Sequence, residues 1–572
     1  MKDNNTAIYK PAKRKDYANF NLTFPEVDKL LDQIELIKRR KIKDHNTQIN
    51  YIDPFNHVKT LKNQVNHLII GRRGAGKTSL LIKVIEEIKK ANGHVTVVDM
   101  QGKQRQGADM PLVEVLLKLF NDLKENLEND ELWEPYVTRK AKTKFYMLKS
   151  LYYGMVSKEI WTNKNIEYDR LFNTITSILD RLDAIKNTPN GATIQIIKSS
   201  KQKQQSTKTF KVLGSFSADY KYLLAVNATA STESSYNVSR ESEKNNENSL
   251  EFSGSYAKQE ALDELKQDCI NCIESFFKIF NKSIFLILDD FYQIPINNQP
   301  YIFQYLHDIN KETSQMAFSY KACLVPNRFK LNEDNNKILS HKDDFSTINL
   351  DREFCELEAN KDLLFKILCG IDPKLGLTTT RINKLFNDSS VINDCIRASG
   401  ALPRYFLDVF SHMVKFSIAE NQNKIHRMVL TQVVREIKKS KDELISEEAY
   451  LPENQIRSLY SVIEEEVVHG LHTNVILYPN ISFKKNEDVL NSLINLGYIH
   501  RIKESIMVDK INYIPIFIDM IFTHTKSDKM PKHFKDVKFW EQNGKSLSKC
   551  EIWEFKQETI NRLNHLNLDV VV

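Results

Sequence analysis

His67-Leu-Ile-Ile-Gly-Arg-Arg-Gly-Ala-Gly-Lys-Thr-Ser-Leu80 joins an apolar strand, a glycine-rich turn and the start of a helix. Gly71, Gly76, Lys77 and Thr78 fit G-x-x-x-x-G-K-[ST], preceded by Leu68 to Ile70 and followed by Leu80, Leu81, Val84, Ile85 and Ile88 at helical spacing. The pattern predicts a phosphate-binding loop. Gly71, Gly74 and Gly76 are expected to take dihedrals closed to other residues. The backbone N–H groups from Gly71 through Arg72, Arg73, Gly74, Ala75, Gly76, Lys77 and Thr78 to Ser79 then turn inward around phosphate oxygens at a helix N-terminus. Lys77 is expected on the β- and γ-phosphates of ATP, and the Thr78 hydroxyl on Mg²⁺. A glycine-rich turn that binds nothing is the plain alternative, and the register of strand, motif and helix argues against it.

Outward from that loop, Gly93 ends the helix and His94-Val-Thr-Val-Val-Asp99 reads as a second buried strand. Strand, helix, strand implies a right-handed crossover and a parallel sheet. Ser283-Ile-Phe-Leu-Ile-Leu-Asp-Asp-Phe291 is a continuous apolar run that delivers two carboxylates to the edge where ligands bind in open α/β sheets. Asp289 is expected to hold Mg²⁺ and Asp290 to orient the attacking water. The bland alternative is an Asp pair capping a turn near Pro295. Tyr320-Lys-Ala-Cys-Leu-Val-Pro-Asn327 and Ser346-Thr-Ile-Asn-Leu350 bring the core to five strands.

The expected fold is α/β, a P-loop NTPase parallel sheet with a helical lid, a long mixed insertion and a C-terminal winged-helix-like domain. Residues 1–54 form an N-terminal helical extension, helical over 25–40 and ending in Lys38-Arg-Arg-Lys41 with Lys43 beyond. That run is a solvated helix end or a phosphate contact. Residues 55–100 and 280–355 form the ATPase core. Residues 101–279 form the inserted module, with a polar loop at 101–107, a helix over 110–127, helical patterns over 133–185, a strand pair over 210–222 and a helix over 259–280. Its stretch 231–249 is too polar to order itself. Residues 356–440 form the lid, and Gly400-Ala-Leu-Pro-Arg404 opens one of its helices. Residues 441–525 read as helices over 452–469 and 486–496, then strands over 497–502 and 511–517, which suggests a winged helix. Residues 526–572 are a C-terminal extension.

A chain of 572 residues exceeds one hydrophobic core, and 41% apolar residues suffice for two or three domains. The polar first ten residues lack a signal-like apolar run, and no stretch approaches the ~18 apolar residues of a membrane span, so a cytoplasmic protein without membrane contact is expected. Seven cysteines do not form a disulfide framework, and Cys269-x-x-Cys272 has no second pair to complete a zinc site. A net charge of +7 permits an anionic partner without demanding one.

These residues resemble the AAA+ and STAND group of ATPases, in particular those shaped like origin-recognition initiators and relatives from bacterial defence loci. Gly71 to Thr78 looks like Walker A and Leu286-Ile-Leu-Asp-Asp290 like Walker B. Asn327 is placed like sensor 1, and Arg404 in Gly-x-x-Pro-Arg like the sensor 2 arginine of the lid. The resemblance covers residues 55–100 and 280–520. It implies ATP and Mg²⁺ as cofactors, a catalytic set of Asp290, Lys77, Asn327 and Arg404, and metal ligation by Thr78 and Asp289. Asp290 stands where initiator-type ATPases usually carry Glu, which fits the STAND pattern and a low hydrolysis rate. No arginine finger is identifiable, with Arg328 and Arg352 as candidates. The function implied is a switch ATPase, in a defence system, that engages a protein partner or itself when ATP binds. The alternative is an ATP-regulated DNA-binding protein of initiator type, and a P-loop kinase ranks third because no basic lid signature is present. The candidate recognition helix over 486–496 holds two acids and no Lys or Arg, which weakens DNA reading. Phosphate contacts would fall to Lys484, Lys485, Arg501 and Lys503, and to Lys201, Lys203, Lys208 and Lys211 of the insertion.

Overall fold

A computed structural model describes residues 20–38, 41–42, 51–101, 111–129, 163–188, 193–198, 208–210, 225–227, 240–314, 316–333, 338–448, 451–524 and 533–565. Lys43, Lys201, Lys203, Lys211, the loop at 102–107 and all but the first residue of the strand pair predicted at 210–222 lie outside these residues.

In chain order the first half comprises α1 (Pro25–Lys38), α2 (His57–Leu61), β1 (His67–Ile70), α3 (Lys77–Lys90), β2 (His94–Asp99), α4 (Pro111–Glu128) and α5 (Asn163–Asn187). There follow β3 (Thr193–Lys198), β4 (Lys208–Phe210), β5 (Ala225–Asn227), α6 (Arg240–Phe280), β6 (Ile284–Asp289), α7 (Gln299–Glu312), β7 (Phe318–Leu324) and β8 (Ser346–Asn349). The main sheet runs β2-β6-β7-β1-β8, and every neighbouring pair is parallel. This is the five-stranded P-loop NTPase sheet expected from the sequence. β6 and β7 are buried along their whole length, and β6 accordingly reads as an unbroken apolar run rather than an alternation, while β7 also buries Ser319 and Lys321.

Successive residues of β6 serve opposite layers. Phe285 and Ile287 pack with Leu80, Leu81, Val84 and Ile85 of α3, while Leu286 and Leu288 pack with Leu116 of α4, Ile175 of α5 and Ile273 of α6. Residues 101–279, expected as an inserted module, therefore contribute three helices to the apolar layer on one face of the sheet. Arg181 of α5 donates to Asp268 of α6, tying two of these helices together. Helix α6 begins at Arg240, so residues 240–249 are helical where poor order is expected from their polarity. Once the apolar part of α6 is docked, extending the helix into Glu, Asn and Lys residues needs no new nucleus.

The lid contains α8 (Leu357–Gly370), α9 (Thr379–Lys384), α10 (Ser389–Ala398) and α11 (Pro403–Ala419). Next come α12 (Leu430–Glu448), α13 (Glu453–Val462, continued by a π-helical stretch, Ile463–Leu471), β9 (Val475–Pro479), α14 (Asn480–Lys485) and α15 (Glu487–Asn495). The chain ends with β10 (Ile499–Arg501), β11 (Ile506–Val508), β12 (Ile511–Ile518), α16 (Met520–His524), β13 (Glu551–Ile552) and α17 (Gln557–Asn564). The second sheet runs β10-β12-β9-β13, with β11 also on β12; β10, β11 and β9 are antiparallel to β12, and β13 is parallel to β9. Strands β9, β11 and β13 are additions to the two predicted for this region.

Lid and tail share one apolar core, in which Phe406 and Phe410 of α11 join Leu459 of α13, Leu493 of α15, Ile516 of β12 and Trp553 beside β13. Helix α1 belongs to the same core through Val27, Leu30 and Ile34, and Lys38 pairs with Asp408 of α11 at 2.5 Å. The basic run that begins at Lys38 is thus tied to the lid at its first residue.

Candidate nucleotide site

The P-loop connects β1 to α3, and its conformation is set by the three glycines in two different ways. Gly74 (φ 83°) and Gly76 (φ 95°) occupy the left-handed region that side chains disfavour. Gly71 does not; a Cβ there would lie 3.1 Å from Ala75 Cβ and 3.2 Å from Leu350 Cβ, so it is kept by close approach rather than by dihedral. The prediction of special dihedrals holds for two of the three glycines.

Lys77 is buried and donates to the carbonyls of Gly71 at 2.6 Å and Arg72 at 3.1 Å. Burial holds its ammonium below the usual lysine range, against the attraction of Asp351, Asp290 and Asp289. Thr78 Oγ1 donates to Asp289 Oδ2 at 2.9 Å, joining the first turn of α3 to the tip of β6. Asp290 follows with φ 52°, and its N–H turns back onto Asp289 Oδ1 at 3.1 Å. Burial and the neighbouring Asp290 charge push the Asp289 carboxyl up, and burial does the same to Asp290. A hydroxyl and a carboxylate, both hard oxygen donors, set among crowded acids fit Mg²⁺, which would relieve that crowding.

Above the loop lies a cavity of 840 Å³. Its floor is the stretch from Arg72 to Ser79 with Asp99, Asp289 and Asp290; its roof is Ala401 to Arg404 and Leu407 of the lid; its apolar flank includes Tyr51, Ile52, Phe55 and Ile367. Arg404 N donates to Gly74 O at 3.1 Å, so the first turn of α11 sits directly on the P-loop. The exposed Arg404 side chain lines the cavity with Lys77, Thr78, Asp289 and Asp290. Asn327 is not brought there. It is exposed, with φ 59°, in the turn after β7 and outside the cavity lining. Its neighbour Arg328 lies 5.3 Å over the ring of Tyr292, which does line the cavity. Arg352 also lines it, 4.8 Å over the ring of Phe55.

Residues 50–305 match the KAP family P-loop domain. The matched span takes in 101–279, so the helices α4, α5 and α6 lie within it, while the lid and tail lie beyond it. No curated protein matches the chain in sequence. Among solved structures, Cdc6p from Pyrobaculum aerophilum is aligned over 91% of this chain and 100% of its own, at 11% identity and TM-score 0.29. The Orc1 protein of Aeropyrum pernix, solved in complex with DNA, is aligned over 86% and 97%, at 10% identity and TM-score 0.29. The RuvB Holliday junction branch migration motor of Thermotoga maritima is aligned over 44% and 80%, at 10% identity and TM-score 0.21.

Three residues around the site escape a motif reading. Asp99 ends β2 in register with Asp289 at the end of β6, and its charge pushes Asp290 up. Tyr292 lines the cavity and hydrogen-bonds the Asp290 carboxylate. Asp351, after β8, accepts from Arg72 N at 2.9 and 3.1 Å and so pins the P-loop from outside. Parallel pairing of β2 with β6 was the available signal for Asp99; nothing local marks the other two. Among the described residues no helix is long and apolar enough to cross a membrane.

Proposed function

We propose that the chain is an ATP-binding and hydrolysing switch, in which nucleotide bridges the P-loop and the lid. The observation that carries this reading is the seating of α11 on the loop, Arg404 N on Gly74 O at 3.1 Å, above the Thr78–Asp289 pair. Phosphates entering the cavity would meet the N-terminal turn of α3, whose N–H groups favour anions, below the first turn of α11. Lys77 would exchange loop carbonyls for phosphate oxygens. Thr78 and Asp289 would hold Mg²⁺, which when bound draws charge from the phosphates. Asp290 accepts a hydrogen bond from the attacking water and orients it, and Arg404 meets the γ-phosphate once the lid is closed.

Residues 453–518 follow the order helix, strand, helix, helix and antiparallel ribbon, which supports a winged-helix-like domain. Its candidate recognition helix α15 is buried from Val489 to Ile494, and Asn495 donates to Pro326 O at 3.5 Å. A helix so enclosed cannot enter a groove, which favours the protein switch, with assembly on ATP as in a defence system, over direct DNA reading. Calorimetry with ATP·Mg²⁺, then light scattering with and without ATP, tests the reading. Absence of binding removes it, and binding without a change in mass removes the assembly step.

A further inference from the structure

One histidine of the C-terminal body packs on the lid turn that carries Arg404 and lies within electrostatic reach of Arg72 in the P-loop. His500 of β10 is fully enclosed, with Phe354 and Phe517 rings at 5.7 and 5.9 Å. Its Nε2 lies 2.7 Å from Asp519 Oδ2, which also accepts from Lys441 Nζ at 2.8 Å. Burial pushes the Asp519 carboxyl up, but Lys441 and His500 outweigh it and hold it below the usual carboxylate range. An ionised Asp519 can only accept, so Nε2 carries the proton. Burial holds His500 itself below the usual histidine range, so it is neutral and Nδ1 is a bare acceptor.

That acceptor has no hydrogen-bond partner, and neither does Nη1 of Arg72 in the P-loop. The Arg72 side chain is only 9% exposed, held by its N–H and Nε on Asp351, and its charge is felt at His500. One orphaned donor on the P-loop and one orphaned acceptor on β10 are thus both shut away from water. The same ring packs on Gly400 (φ 57°), where an added Cβ would lie 2.6 Å from His500 Nδ1. Gly400 opens the turn that ends at Arg404 on Gly74.

We propose that His500 is a positioning residue of the nucleotide site: its Nδ1 receives Arg72 Nη1 when nucleotide fills the P-loop, while its ring seats the turn that presents Arg404. The inference rests on the nucleotide reading above. It makes the C-terminal body a working part of the site rather than an appended reader, since filling the loop would pull on β10 directly.

Two substitutions separate positioning from packing. In His500→Asn the amide oxygen stands where Nδ1 stood, while His500→Gln places its amide where Nε2 stood and keeps Asp519 partnered. In the full chain, His500→Gln should melt near wild type yet raise the KM for ATP about tenfold, the worth of a hydrogen bond to a charged group. His500→Asn should melt lower and keep its KM. Arg72→Gln should raise KM as well, and adding it to His500→Gln should raise KM no further. An affinity that simply follows melting temperature through the series, or additive Arg72 and His500 effects, would overturn the proposal. Wild type binding ATP while His500→Gln matches it in KM overturns this inference alone; wild type failing to bind ATP overturns the nucleotide reading and this inference with it.

Discussion

Lys77 rests on two carbonyls of its own loop, an arrangement that keeps a buried ammonium solvated by the backbone until an anion replaces it. Lys77→Ala should lower ATP affinity roughly 10- to 100-fold, the range for losing a hydrogen bond from a charged donor, and wild-type titration heats would contradict it. Asp289→Ala and Asp290→Asn should differ in kind. The first removes the partner of Thr78 and weakens ATP·Mg²⁺ binding; the second leaves binding near wild type and lowers kcat, as single-turnover rates would show. Equal loss of binding in both would contradict that division. Lys77, Thr78, Asp289 and Asp290 were legible because each motif is contiguous and its strand carries an unmistakable apolar run. Asn327 has only its place after a strand to mark it, and the backbone turn there leaves it exposed to solvent. Asp99 and Asp351 depend on which strands lie side by side, information no local window holds.

At the level of elements, α11 and α15 carry the functional argument. Arg404→Ala removes a cavity-lining cation but leaves the backbone bond to Gly74, so ATP binding should persist while nucleotide-dependent protection from proteolysis is lost. A cleavage pattern that still changes with ATP would exclude the sensor role. Helix α15 is predicted to behave as core: Leu493, completely buried, should cost about 2–5 kcal/mol when cut to Ala, read from urea unfolding, whereas an unaltered midpoint would mean the helix is free to bind elsewhere. The helical spacing of both elements was legible. Strand β9 was not, being five residues long and ending in proline, and its pairing with β12 spans the chain from Val475 to Phe517. The length of α6 was missed for the opposite reason, since composition favoured disorder where an anchored helix could simply extend.

Across the whole molecule, burial keeps several histidines neutral. His67 is pushed down to about 3, and His94 and His524 to about 4, in each case chiefly by desolvation. The unfolded chain takes up these protons near the ordinary value of ~6.5 while the folded chain refuses them. Stability is therefore full above that value and falls as pH drops towards 4, by up to about 1.4 kcal/mol per unit for each histidine. Urea midpoints at pH 7 and pH 5 check this, and equal values would refute it. The parallel order of the main sheet was legible from strand, helix, strand; the fusion of lid and tail into one core was not, because it joins residues from Phe20 to Leu563. One flank of that core is closed by residues 551–559. Strand β13 lies along β9, Trp553 Nε1 donates to Glu466 at 3.0 Å, and Thr559 also donates to Glu466. During synthesis the flank of β9 stays open until residues 551–552 emerge, so a chain halted before residue 551 would leave a row of unpaired backbone groups ready to capture a neighbouring strand.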